Sequence, residues 1–181
     1  MTPERILVVK LADFGDALLA TPALRRLRQG LPGARIDALT TAAGAGAFRH
    51  AGLVDEVLTF DKAAYDRPAA ALRRPLAPLR LGRVLRARRY DAVALLHGLV
   101  TRFGAVKHAA LVLATGAPVR AGMAVPGRGR GGFLTHAAPD PGYDRAHVVV
   151  AQLAIADALL AAAGVRPPPP RPADLRLAFD P

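Results

Sequence analysis

Short runs of branched apolar residues alternate along this chain with longer stretches whose apolar residues recur every three to four positions, and that alternation constrains the fold more than any other feature. Runs of about six residues read as strands buried on both faces, and helices set between them supply the crossovers that parallel strands need. The chain therefore predicts an α/β fold built of βαβ units, a parallel sheet with helices on both faces. Arg5 to Lys10 (RILVVK) is the clearest strand. A helix follows with Leu18, Leu19, Pro22, Ala23, Leu24 and Leu27 on one stripe, stopped by Gly30 and Pro32. Arg35 to Thr40 reads as a second strand, about Ala42 to Ala51 as a helix capped by Gly52, and Glu56 to Phe60 as a third strand. Beyond a proline-interrupted loop come a basic helix, Leu79 to Arg89, and a fourth strand, Asp91 to Leu96. A helix from Thr101 to Thr115 then leads to a fifth strand, Val119 to Met123, and Gly132 to His136 reads as a short sixth. A long helix runs from about Tyr143 to Ala163 and is stopped by Gly164.

The length of 181 residues predicts one domain with a sizeable core over residues 1–164. Residues 165–173 hold four consecutive prolines and read as an extended linker, and 174–181 (DLRLAFDP) as the opening strand of a further domain. With 52% apolar residues the chain is not a disordered one, and with no cysteine and no serine it has neither a thiolate metal site nor a serine nucleophile. The most apolar stretch, Ala146 to Val165, is interrupted by His147, Gln152 and Asp157, so no membrane-spanning helix is expected. The N-terminus shows no signal-peptide pattern, so a cytoplasmic location is expected. A formal net charge of +11 favours an anionic partner, although the near replacement of lysine by arginine also reflects a GC-rich coding bias.

In an open parallel sheet the ligand crevice lies beyond the carboxyl ends of the strands, so the loop after the first strand is the first place to look for chemistry. It reads Leu11-Ala12-Asp13-Phe14-Gly15-Asp16. Gly15 permits a tight turn and close backbone approach. Two readings of Asp16 stand side by side. It, or Asp13, caps the following helix, or its carboxylate faces the crevice as a general base.

The run ILVVKLADFGDALLATPALRRLRQGLPGARIDAL resembles the N-terminal stretch of glycosyltransferase family 9, the ADP-heptose:lipopolysaccharide heptosyltransferases. Weaker likeness continues through AGLVDEVLTFDK and YDAVALLHGLVTRFGAVKHAALVLATGAPVRAG, covering most of residues 5–165. The resemblance implies the acceptor-side, Rossmann-like N-terminal domain of a two-domain GT-B fold, whose other half binds the nucleotide sugar. It implies that Asp16 is the catalytic base in an inverting transfer, and that Lys10, Gly15, Arg102 and His147 contact the acceptor. No resident cofactor is implied. The donor is a nucleotide sugar, ADP-heptose, held mainly by the second half, and the acceptor is a phosphorylated lipid-linked saccharide met at the inner membrane. Without the second half the chain is expected to be inactive. Where the family commonly has an acid and a glutamine after the fourth strand, this chain has Leu96-His97-Gly98.

The eight arginines between Arg67 and Arg89 read either as a phosphate clamp or as a solvated helix face. Gly127 to Gly132 (GRGRGG) reads as a mobile basic loop. None of His50, His97, His108, His136 and His147 has ligand-like spacing, so no metal is expected. The competing functional classes are a basic nucleic-acid-binding module, disfavoured by only 5% aromatic residues, and a non-catalytic remnant held by a partner chain.

Overall fold

The computed structural model describes residues 2–60, 77–124, 130–139, 147–166, 168, 169, 171 and 175–177. Its strands are β1 (Arg5–Lys10), β2 (Arg35–Thr41), β3 (Glu56–Phe60), β4 (Ala92–Leu95), β5 (Val119–Met123) and β6 (His136–Ala138). The helices are α1 (Phe14–Leu18), α2 (Thr21–Gly30), α3 (Ala45–Ala51), α4 (Ala77–Ala87), α5 (Arg102–Thr115) and α6 (Val148–Ala162). All six strands are parallel and lie in the order β3-β2-β1-β4-β5-β6, the arrangement of a Rossmann-like doubly wound sheet.

Side chains alternate across a strand, and here each face has its own core. Ile6 and Val8 of β1 join Ile36, Ala38, Ala92, Ala94 and Ala121 on the face covered by α2, α3 and α6, where Leu24, Leu27, Phe48, Ile155 and Leu159 are buried. Leu7 and Val9 join Leu39, Val93 and Leu95 on the other face, under Leu85 of α4 and Ala105 and Val112 of α5. Each such leucine, withdrawn fully from water, contributes about 2 kcal/mol. α2 is tied to α6 by Arg26, whose Nε donates to the Asp157 carboxylate at 2.8 Å and whose guanidinium also donates to the Pro168 carbonyl.

Several elements differ from the sequence reading, among them the basic helix expected at Leu79 to Arg89, which spans Ala77–Ala87. The single helix expected across Leu18 to Leu27 is two, because Ala20 breaks the run and Thr21-Pro22 opens α2 with proline in its first turn, where a missing N–H costs nothing. The helix expected from about Ala42 begins at Ala45. The sixth strand sits at His136–Ala138 and not at Gly132 to His136, because pairing with β5 fixes it, His136 lying opposite Ala121 and Ala138 opposite Met123. The long helix expected from about Tyr143 begins at Val148, behind His147, whose backbone is extended. The expected loop over 67–76, residues 143–146 and most of 174–181 lie outside the described residues.

Candidate functional site

The chain runs outward from β1 to β2 and β3, then returns to lay β4 against the other side of β1. The connections after β1 and β4 therefore leave in opposite directions, and a hollow opens where they part. A cavity of about 490 Å³ lies there, within the range of small-molecule sites. Lys10 and Asp16 line it from the exit of β1, Leu96, His97 and Gly98 from that of β4, and Met123 from the end of β5. Thr101, Gly104 and His108 of the α5 region and Val148, Ala151, Gln152 and Ile155 of α6 complete the wall. The α6 residues fall at helical spacings of three, four and seven, so one face of that helix turns to the hollow.

The loop that carries Asp16 is held by its neighbour. The Thr41 hydroxyl donates to the Ala12 carbonyl at 2.6 Å and accepts from the Gly44 N–H at 3.1 Å, both buried. Gly44 lies so close that a Cβ there would come within 2.5 Å of the same carbonyl. Asp13 stands at the N-cap of α1 with no side-chain capping bond, so the capping reading fails for Asp13. Asp16 lies in the first turn of α1, exposed at the rim of the hollow. Gly15 does not make the expected turn. It sits inside α1 without a positive φ, and a Cβ there would meet nothing within 4 Å.

Lys10 is 6% exposed, and burial lowers the pKa of its amine, an effect opposed by the nearby Asp16 carboxylate. Arg102 and His147 do not line the hollow but open the two helices that do. Thr101 caps α5, its hydroxyl accepting from the Gly104 N–H at 3.0 Å. His147 caps α6, its Nδ1 accepting from the Val149 N–H at 3.3 Å. That capping bond accounts for His147 without a ligand.

His97, His108 and Gln152 are site residues that the sequence reading did not gather. The rings of His97 and His108 stack at 4.5 Å between centroids. His108 Nδ1 lies 2.7 Å from the Gly104 carbonyl, one helical turn back. Burial lowers the His108 pKa, with Lys107 adding to the effect and the Gly104 bond opposing it. Gln152 is almost fully buried.

Two of the basic features have structural partners. Arg88 belongs neither to a phosphate clamp nor to a solvated face. It binds the Glu56 carboxylate through both terminal nitrogens at 2.7 and 2.6 Å and reaches Asp37 at 3.1 Å. The Tyr90 hydroxyl donates to the same buried Asp37 at 2.8 Å, and burial, then that bond, pushes the phenol pKa up. This cluster lies near the strand starts, at the opposite edge from the hollow. From the GRGRGG run, Arg130 donates to the carbonyls of Leu99 and Val100 and so supports the loop between β4 and α5, while residues 127–129 lie outside the described part.

Neither a known family profile nor a curated protein sequence matches the chain. Solved structures do. A glycosyl transferase of family 9 from Veillonella parvula is similar at 22% identity and a TM-score of 0.67, over 86% of this chain and 41% of its own. The Escherichia coli heptosyltransferase WaaC with bound ADP is similar at 25% identity and a TM-score of 0.64, over 92% of this chain and 49% of its own. The E. coli ADP-heptose lipopolysaccharide heptosyltransferase II is similar at 22% identity and a TM-score of 0.65, over 96% of this chain and 45% of its own. The chain thus has the Rossmann-like fold found in family 9 glycosyltransferases and spans half or less of the length of these structures.

Proposed function

We propose that the chain is the acceptor-side half of an inverting family 9 glycosyltransferase, moving a heptose-type sugar from a nucleotide sugar such as ADP-heptose to a phosphorylated lipid-linked saccharide. The observation that carries this reading is an accessible carboxylate, Asp16, beside a buried ammonium, Lys10, on one hollow at the exits of β1 and β4. The shared fold with two heptosyltransferase structures, one solved with ADP, supports it. In the proposed step Asp16 accepts the proton of the acceptor hydroxyl as its oxygen bonds to the anomeric carbon. The bond from that carbon to the nucleotide diphosphate breaks on the opposite face, and the diphosphate leaves with the electron pair. A well-placed base of this kind contributes roughly 100- to 10,000-fold. Lys10 offers its ammonium to an anionic group of the acceptor inside the hollow. The donor is assigned to a second, nucleotide-binding half, so the 181 residues alone bind acceptor without turnover.

Contact with the inner-membrane surface at the cytoplasmic side is part of the proposal. Among the described residues no helix is long and apolar enough to cross a membrane. Phe103, Val106 and Leu113 nevertheless stand exposed on one face of α5, with Phe103 64% exposed and Lys107 lying over its ring. No acidic residue occurs between positions 92 and 139, so the face offers apolar groups and cations together, as an anionic lipid surface requires. The test of the reaction is release of nucleoside diphosphate by the chain joined to a nucleotide-sugar-binding half. Asp16→Asn is expected to lower kcat at least 100-fold with little change in KM, and full activity in that variant refutes the general base.

A further inference from the structure

Gln152 is 2% exposed, and neither its Oε1 nor its Nε2 has a hydrogen-bond partner among the described residues. A primary amide carries two donors and a carbonyl acceptor, and interiors very rarely leave all of them unmet. The other α6 residues on the hollow, Val148, Ala151 and Ile155, are apolar, so packing alone asks for leucine at 152. A second orphan lines the same hollow. His108 Nε2 is buried without a partner among the described residues, and its tautomer is set by the rest of the ring. The Gly104 carbonyl 2.7 Å from Nδ1 can only accept, so Nδ1 carries the proton and Nε2 presents a lone pair.

We propose that Gln152 and His108 form a subsite for the hydroxyl groups of a neutral saccharide ring and that they discriminate against phosphate and carboxylate. The inference rests on the cavity being a glycosyl-transfer site and names what its inner wall recognises. A hydroxyl both donates and accepts. It can give its hydrogen to His108 Nε2 or to Gln152 Oε1, and take one from Gln152 Nε2. An ionised phosphate or carboxylate oxygen only accepts, so it satisfies the Gln152 NH₂ while turning negative charge toward the His108 lone pair and the Gln152 oxygen. A site built on buried hydrogen-bonding groups rejects ligands that leave those groups unpaired. The charge of a phosphorylated acceptor then belongs beside Lys10, and its sugar ring against Gln152 and His108.

The test is an NMR titration of the 181-residue chain, followed through the Gln152 side-chain NH₂ and the His108 ring nitrogens, with a neutral methyl heptopyranoside and separately with inorganic phosphate. The heptoside is expected to move both sets of signals, and phosphate neither. Gln152→Leu, and the near-isosteric Gln152→Met, are expected to melt several degrees higher than the parent and to bind the heptoside at least tenfold more weakly. His108→Phe keeps a ring to stack on His97 and is expected to weaken binding similarly. No response to the heptoside, binding within twofold of the parent in both Gln152 variants, or a response to phosphate alone would each overturn the subsite. Loss of transfer in Asp16→Asn together with an unchanged acceptor KM in Gln152→Leu, both in the two-half enzyme, leaves the proposed function standing and removes only the subsite. Heptoside binding that depends on Gln152, with full turnover in Asp16→Asn, does the reverse.

Discussion

Replacing Gly44 by alanine tests the claim that the Asp16 loop is positioned by contact with the loop after β2. The backbone of Gly44 is ordinary, at φ −78° and ψ −16°, so any effect of the added methyl is steric. Its Cβ would stand 2.5 Å from the Ala12 carbonyl oxygen, 2.5 Å from Thr40 Oγ1 and 3.2 Å from the Ala17 Cβ. The Thr40 hydroxyl has no hydrogen bond to lose among the described residues and can rotate. The Ala12 carbonyl cannot withdraw without stretching its 2.6 Å bond from Thr41. Overpacking of this kind costs about 1 to 3 kcal/mol. A weakened buried hydrogen bond adds about 1 kcal/mol. The sum of roughly 3 kcal/mol corresponds to a fall of about 6 to 12 °C in Tm for a domain of this size. Two further glycines calibrate the measurement. Gly52 has φ +60° with nothing near its Cβ, so Gly52→Ala suffers only the left-handed backbone penalty of about 1 to 2 kcal/mol. Gly33 has neither a positive φ nor a close neighbour, so Gly33→Ala leaves Tm unchanged or raises it slightly. Thermal unfolding followed by circular dichroism ranks the three. A Gly44→Ala chain that melts within 1 °C of the parent, or above Gly52→Ala, refutes the contact.

Lys10→Met removes a cation that burial disfavours and is expected to stabilise the free chain at pH 7 by about 1 to 2 kcal/mol while weakening binding of a phosphorylated acceptor. Because the folded-state pKa of Lys10 lies below its unfolded value, the unfolded chain holds the extra proton between the two, and parent stability climbs as pH rises through that window. Lys10→Met should lack that climb, and a parallel pH profile in the variant refutes the assignment. Phe103→Glu is expected to weaken co-sedimentation with anionic phospholipid vesicles at least tenfold, since it exchanges an exposed ring that would enter the lipid interface for a repelled carboxylate. Equal binding by the variant, or equal binding of the parent to uncharged vesicles, counts against a membrane role for α5.

RILVVK, EVLTF and VRAGM lie where the sequence places them. Burial on both faces leaves little choice of boundary for RILVVK, whereas EVLTF, at the sheet edge, is placed by its β-favouring residues between turns. β6 was displaced because His136-Ala137-Ala138 carries no strand signal of its own and is placed by its register on β5. The break between α1 and α2 did have a local sign, the Thr21-Pro22 pair, which opens a helix more readily than it continues one. Lys10 and Asp16 could be found because one loop holds them both. His108 and Gln152 could not, since they come from helices on opposite faces of the sheet and meet only through the strand order. Arg88 was misread for a related reason. Its acidic partners Asp37 and Glu56 lie 51 and 32 residues away, beyond anything a count of arginines in one window can reveal.

The cluster around Asp37 also shapes the electric field of the whole molecule. Glu4, Asp37, Asp55, Glu56 and Asp91 all sit near the strand starts, and Asp37, Asp55 and Glu56 are matched there by Arg28, Arg35 and Arg88. With so many negative groups neutralised at that pole, the cationic surplus is expressed elsewhere, including at Arg102 and Lys107 of α5, the helix that helps wall the hollow. On the proposed function, that asymmetry would turn an acidic glycolipid toward the α5 side before any contact forms, and its capture rate should fall as added salt shortens the reach of the field.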